Sequence, residues 1–303
     1  MSEFSFIESI RRRVTDRLPV LVGIGDDAAV LAESDRPLLV TTDMLMEGTD
    51  FKFPETSPQL AGRKSLAVNL SDIAAMAGEP TAAFVSVALP KQRGEVFALA
   101  FFDGLLSLAD EFDVVIAGGD TNTWDGPLLA SITALGRPFG KQAVTRAGAK
   151  PGDVIFVTGE LGGSITEHHL TFTPRVAEAK RLTELADLHA MIDISDGLAA
   201  DLHHILDASQ VGAVLDSETI PISAAAQGAN DRRSPLDHAL GDGEDFELLF
   251  TVSAADAEKL QRGWSGVPRL TRIGEVTAAR ECLLREKDGV LKPLPALGWR
   301  HGW

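Results

Sequence analysis

Six short acidic motifs punctuate this chain, each set among glycines or hydroxyl residues and none containing lysine or arginine. They read Gly25-Asp26-Asp27, Thr41-Thr42-Asp43, Asn69-Leu70-Ser71-Asp72, Gly118-Gly119-Asp120, Asp193-Ile194-Ser195-Asp196-Gly197 and Gly241-Asp242-Gly243-Glu244-Asp245. Several stand where a strand-like run ends. Pro37-Leu38-Leu39-Val40 leads into the second motif, and Asp113-Val114-Val115-Ile116 leads into the fourth. Further strands are predicted at 82–89, 127–136, 154–158 and 246–252, with helical patterns between them. The order strand, helix, strand, strand, helix, strand predicts an α+β fold rather than a doubly wound sheet.

The helical patterns bring particular residues together. Leu66, Leu70, Ile73 and Ala77 form one core stripe, and Ser65, Asn69 and Asp72 line up beside it at helical spacing. A second helix is expected over 94–111, with Phe97, Phe101, Leu105 and Leu108 in register. A third is expected to start near Ser195 as N-cap, with Leu198, Leu202 and Ile205 facing inward. Ser5-x-x-Glu8 has the form of a capping box opening a first helix, whose exposed face would carry Arg11-Arg12-Arg13. The Gly- and Pro-bearing stretch 137–153 reads as a join between two domains, 1–140 and 141–303.

The 303 residues carry a formal charge of −16. Such a surface repels nucleic acid and anionic lipid. The six motifs hold ten Asp or Glu residues, so much of the excess is concentrated at them. Carboxylates beside bare backbone and hydroxyls suit hard, oxygen-seeking cations. An anionic ligand could bind among these acids only with cations between, so the charge itself points to magnesium holding phosphate. Hydrophobic residues make up 45% of the chain, which is enough for a sizeable core. No run of 18 apolar residues occurs, and the acidic start does not resemble a signal peptide. With one cysteine, Cys282, no internal disulfide is expected, and a cytoplasmic location fits.

Other chemistries find little support. There is no Gly-x-x-x-x-Gly-Lys-Ser/Thr loop and no kinase-type glycine loop. Gly23-Ile24-Gly25-Asp26-Asp27 supplies only half of a dinucleotide fingerprint. The pairs His168-His169 and His203-His204 lack zinc-ligand spacing, and Cys282 beside two leucines reads as a packed residue. Asp72 borders a buried stripe, so it either pairs with Lys64 or Arg63 or binds metal. At 193–197, two acids, a hydroxyl and helix-terminal amides could receive a phosphate and its magnesium, alongside ordinary capping by Ser195. Arg146 either forks onto a phosphate or is a solvated linker charge.

Taken in order, these motifs resemble the thiamine-monophosphate kinase family, from about Glu3 to Gly298-Trp299-Arg300-His301. The segments that carry the resemblance are Gly23 to Val30, Thr42-Asp43, Asn69 to Gly78, Gly118-Gly119-Asp120-Thr121, Ile194 to Leu198 and Gly243 to Leu248. The resemblance implies the two-domain fold of aminoimidazole ribonucleotide synthetase: an N-terminal α/β domain that pairs into a barrel in a homodimer, and a C-terminal α/β sandwich. It implies transfer from ATP to thiamine phosphate with several magnesium ions. By motif, the ligands of magnesium would be Asp27, Thr41, Thr42, Asp43, Asp72, Asp120, Asp193 and Asp196. Gly119, Asp120, Arg146 and Ser195 would touch ATP, and Asp50, Glu244 and Trp299 would meet thiamine phosphate. No dedicated general base is expected, because the accepting phosphate oxygen is already an anion.

Three positions depart from the family pattern. Asp50 stands where histidine is frequent. Asp242 replaces a glycine and is expected to add charge near the substrate. The segment after Gly163 is shortened, which would alter the cover over the site. The nearest alternatives are another ATP-using member of the same superfamily, selenophosphate or aminoimidazole ribonucleotide synthetase-like, and a calcium-binding module. A selenophosphate synthetase would show a reactive cysteine or selenocysteine near the N-terminus, and a calcium-binding module would show repeated Asp-x-Asp-x-Asp-Gly loops. Neither feature is found.

Overall fold

A computed structural model describes residues 3–15, 17–24, 28–166, 168–266 and 268–299. The chain forms two compact units, Met1–Ile73 with Gly78–Gln142, and Ala74–Ala77 with Ala143–Trp303. In chain order the first carries α1 (Glu3–Arg11), β1 (Val20–Val22), β2 (Val30–Leu31), β3 (Leu39–Met46), α2 (Pro58–Ala75), β4 (Gly78–Pro90), α3 (Gly94–Glu111), β5 (Val115–Trp124) and β6 (Leu129–Pro138). The expected α+β character holds. Four strands form one sheet in the order β3-β6-β4-β5, antiparallel except for the β4–β5 pair.

One face of this sheet is closed by helices. Ala130, Ile132 and Ala134 of β6 are buried, and Ile73 of α2 lies against Gly136. The apolar stripe of α3 is buried at Phe101, Leu105 and Leu108, and this helix ends where its pattern ends. Alternation along β3 buries Leu39 and Leu45 and leaves Val40, Met44 and Met46 exposed on the opposite face.

Several element limits differ from the sequence reading. Thr41-Thr42-Asp43 and Gly118-Gly119-Asp120 lie inside β3 and β5, not beyond their ends. The ladder with β6 continues through the threonines, whose branched side chains suit a strand. Helix α1 already begins at Glu3, so Ser5 falls within its first turn and not at the N-cap position; its side chain lies outside what the structure describes.

The second unit carries β7 (Val154–Thr158), α4 (His168–Thr171), α5 (Val176–Leu185), β8 (Leu188–Asp193), α6 (Leu198–Ser209), β9 (Gly212–Asp216), α7 (Ala224–Gln227), α8 (Pro235–Gly241), β10 (Leu248–Val252), α9 (Ala254–Gly263), β11 (Leu270–Thr277), β12 (Cys282–Arg285) and β13 (Leu291–Pro293). Its seven strands are ordered β13-β12-β9-β11-β7-β10-β8. Ile155, Val157, Leu249 and Ile273 pack with Leu198, Leu202 and Ile205 of α6 in one core. Burial pushes the Cys282 thiol up to about 12, so it stays protonated and packed, as its leucine neighbours suggest.

Candidate functional site

In the first unit, Thr41, Asp43 and Asp72 come together. β3 turns Thr41 and Asp43 toward the helix-covered face, and α2 brings Asp72 to meet them. The Thr41 hydroxyl donates to Asp72 Oδ2 at 2.5 Å. Burial raises the Asp43 carboxyl to about 7, and the neighbouring Asp72 and then Asp50 push it the same way. Every influence on Asp43 disfavours its charge. Two carboxylates and a hydroxyl gathered where ionisation is costly are a donor set that a hard cation would relieve, so these residues fit magnesium.

Thr42 does not join this cluster. Strand alternation turns it to the other face, where Thr133 Oγ1 lies 3.1 Å from its hydroxyl. Asn69 is fully buried beside Ser65, whose carbonyl receives its amide, while its Oδ1 has no hydrogen-bond partner among the described residues. Asp43, Ile132, Val85 and Gly119 form one row across the sheet. Gly119 is thus three strand spacings, about 14 Å, from Asp43. Gly119 and Asp120 line a cavity of about 90 Å³ with Ile10, Val85, Phe102 and Ile116. Asp27 lies outside the described residues.

The turn holding Asp50 is tied down internally. Asp50 Oδ2 accepts the Met46 amide at 2.7 Å, and its carbonyl accepts the buried Lys64 ammonium at 2.8 Å. Glu47 of the same turn pairs with Arg93, which stacks over Phe53 and Phe97.

In the second unit, Ser195, Asp196, Glu244 and Trp299 converge. The Glu244 amide donates to Ser195 O at 2.7 Å, and the Trp299 amide donates to Asp196 O at 2.9 Å. The Glu244 carboxylate meets His169 Nδ1 at 2.9 Å. Asp193 is buried at the end of β8, two residues before Ser195. Thr145 O accepts the Met191 amide, which places Arg146 alongside β8. Ser209 Oγ anchors that segment by donating to Arg146 O and accepting from the amides of Gly148 and Ala149.

Two expectations about this unit are corrected. Ser195 is not the N-cap of α6: that place falls to Gly197, with no side-chain cap. The amides of Ser195, Asp196 and Gly197 instead all donate to Asp201 Oδ2, each at 3.1 Å. They are therefore taken by a carboxylate and do not stand open to phosphate. Asp242, expected to add charge near the substrate, is nearly buried and neutralised. It accepts the Gly163 amide at 2.8 Å, pairs with Arg233 and meets His238 Nδ1. Its charge stabilises the Gly163 turn.

Residues whose roles the motifs did not reveal also organise this unit. Asp245 accepts the Gly162 amide and the Ser164 hydroxyl, and burial nevertheless raises its carboxyl to about 7. Glu247 is buried and receives a forked pair of bonds from Arg175, with the Thr158 hydroxyl as a third donor. Burial opposes the Arg175 charge, but the bonds and charge of Glu247 outweigh it and hold the guanidinium pKa above its ordinary value. This pair walls a cavity of about 500 Å³ together with Glu160, His168 and Arg269. Asp201 had one legible signal: it follows Leu198 by one helical turn, beside the inward stripe.

Residues 25–137 match the N-terminal domain model of AIR synthase related proteins, and residues 150–285 match the C-terminal one. The two units and their acidic clusters thus define an AIR synthase related protein. Thiamine-monophosphate kinase of Rhodopirellula baltica is 43% identical over 310 residues, covering 99% of this chain and 97% of that protein. The crystal structure of thiamine-monophosphate kinase from Stenotrophomonas maltophilia K279a is 38% identical, with TM-score 0.83, over 96% of this chain and 98% of that one. The structure of AaThiL complexed with AMPPCP and TMP is 29% identical, with TM-score 0.77, over 99% and 97% respectively. The chain belongs to the thiamine-monophosphate kinase family.

Proposed function

We propose that this chain transfers the γ-phosphate of ATP to thiamine phosphate, giving ADP and thiamine diphosphate. The observation that carries the mechanism is the Thr41–Asp43–Asp72 cluster, acidic, partly desolvated and chemically suited to a hard cation. AaThiL, of the same family, is solved with AMPPCP and TMP. Magnesium, when bound, would supply the positive charge that lets two polyanions approach in line. Asp43, Asp72 and Thr41 would hold it in the first unit, and Asp193 and Asp196 in the second. Asp120, together with Gly119, would meet ATP or its metal, and Arg146 would fork onto a phosphate. Glu244 and the exposed ring of Trp299 would receive the thiamine moiety, the indole by stacking. Asp50, whose carboxylate already caps its own turn, would act there through that turn's shape.

The test offers thiamine phosphate, thiamine and an aminoimidazole precursor side by side with ATP and magnesium. Thiamine diphosphate formed from thiamine phosphate alone is the expected result. Transfer only to another acceptor would favour a different activity of the superfamily.

Magnesium dependence should carry a pH signature. A proton on Asp43, held up to about 7, competes with the cation. Without metal, this group's contribution to stability is fully present below the ordinary carboxylate range and is lost as pH rises through 7. Magnesium reverses that loss by binding the ionised form. Its apparent affinity for this cluster should be about tenfold weaker at pH 6 than at pH 8, one pH unit below Asp43's value rather than above it. Magnesium-induced Tm shifts measured at both pH values check this, and equal shifts would contradict it.

The first unit also supports a homodimer. Val40 (60% exposed), Met44 (57%) and Met46 (41%) form an apolar row on the open face of β3. A second copy of the same face would cover it by two-fold pairing. Sedimentation should give twice 32.3 kDa for the parent and 32.3 kDa for Met44→Lys. A cytoplasmic location is consistent with the single buried cysteine, and no helix among the described residues is long and apolar enough to cross a membrane.

A further inference from the structure

We propose that Asp201 is a positioning residue that organises the Ser195–Gly197 turn and, through it, sets the places of Glu244 and Trp299. The side chain of Asp201 is 1% exposed, and one of its oxygens accepts three consecutive amides, each at 3.1 Å. A single buried oxygen that accepts three consecutive amides fixes the direction of each, although burial, and then the charge of Asp196, raise the Asp201 carboxyl to about 7. With the amides turned inward, the carbonyls of the same turn face outward. Ser195 O then receives the Glu244 amide and Asp196 O receives the Trp299 amide. The turn is thus the common anchor of two segments that lie 48 and 103 residues beyond Asp196.

Both segments approach so closely that they carry glycine at the contact. A Cβ on Gly243 would fall 2.6 Å from Ser195 O, and one on Gly298 would fall 2.5 Å from Asp196 O. The Leu297 carbonyl accepts the Ala200 amide, which fixes the second segment to the start of α6 as well. Nothing in this arrangement requires Asp201 to touch ATP or thiamine phosphate. It acts by placing residues that do, and so rests on the functional reading above for what those residues bind.

Asp201→Asn keeps the shape but replaces one carboxyl oxygen with an amide nitrogen, which cannot accept. Hydrogen–deuterium exchange of the intact protein should show the amides of Ser195, Asp196, Gly197, Glu244 and Trp299 exchanging at least about tenfold faster in the variant. In steady-state assays the KM values for thiamine phosphate and for ATP should rise together by about tenfold or more. Asp207→Asn, on the exposed side of the same helix, should change neither. Unchanged exchange, or both KM values within twofold of the parent, overturns the proposal. If Asp201→Asn does not fold, Gly298→Ala decides: it should raise KM for thiamine phosphate and leave KM for ATP as it was, and an unchanged thiamine phosphate KM is the contrary result. A parent protein inactive on thiamine phosphate refutes the functional reading, while the exchange measurement still decides the role of Asp201.

Discussion

Asp43→Asn and Asp72→Asn should each lower phosphate transfer by on the order of a thousandfold, the scale on which losing one preorganised electrostatic group acts. The fold should persist, by circular dichroism and by a cooperative melt. The physical reason lies in how the two acids are placed. Burial and mutual repulsion raise Asp43 to about 7 from the usual carboxylate range. In the folded protein without metal, ionising Asp43 therefore costs stability. Because the folded pKa is raised, that cost grows as pH climbs from the unfolded value through 7 and is complete above it. Asparagine removes the charge and the cost together. At pH 8, without magnesium, Asp43→Asn should melt at a higher temperature than the parent while being nearly inactive. Near-normal turnover in both variants would refute the metal-cluster mechanism, whatever their stability.

The second large effect is on stability. Glu247→Gln should destabilise the protein by about 3–5 kcal/mol, the range for breaking a buried ion pair by removing one partner. Glu247 is 2% exposed, and Arg175 lies at 2.7 Å through its Nε. Glutamine leaves the guanidinium partly buried without its matching charge and disturbs the bond from Thr158. For a unit of this size the melting temperature should fall by roughly 10 °C. The paired change Arg175→Met with Glu247→Leu should recover most of that loss, because an apolar pair leaves no stranded charge. Thermal melts of the single and double variants form the cycle. A double variant as unstable as the sum of the singles would show that packing, and not charge, dominates here.

Long, strongly periodic elements were legible in advance. Helix α3 spans Gly94–Glu111 because Phe97, Phe101, Leu105 and Leu108 repeat at helical spacing without interruption. The position of Asp72 beside the stripe of α2 followed from the same argument, and the structure brings it to Thr41 and Asp43. Strand ends were less legible. A Gly or Asp inside a strand looks locally like a turn, and only the partner strand decides otherwise. Asp43 and Gly119 are in ladders with β6 and β4, so their strands run on through them.

Side-chain partners were the least legible of all. Ser195 has the composition of a cap, yet the turn's amides go to Asp201, six residues later, because the chain folds back at Gly197. Asp242 reads as a surplus charge until Arg233 and His238 are seen beside it. The fork from Arg175 to Glu247 joins residues 72 apart, a distance across which no local periodicity acts.

By itself the amino-acid sequence determined the α+β class, the main helices, the family and the concentration of acids at six motifs, because these depend on residue type, order and short-range spacing. Only the tertiary structure decided which acids work together. Strand alternation turned Thr42 away from Thr41 and Asp43, sheet register set Gly119 three strands off, and a buried carboxylate at Asp201 claimed the amides that the motif seemed to offer a phosphate. These outcomes depend on the face a side chain takes and on which distant backbone closes over it, and both are settled only when the chain packs.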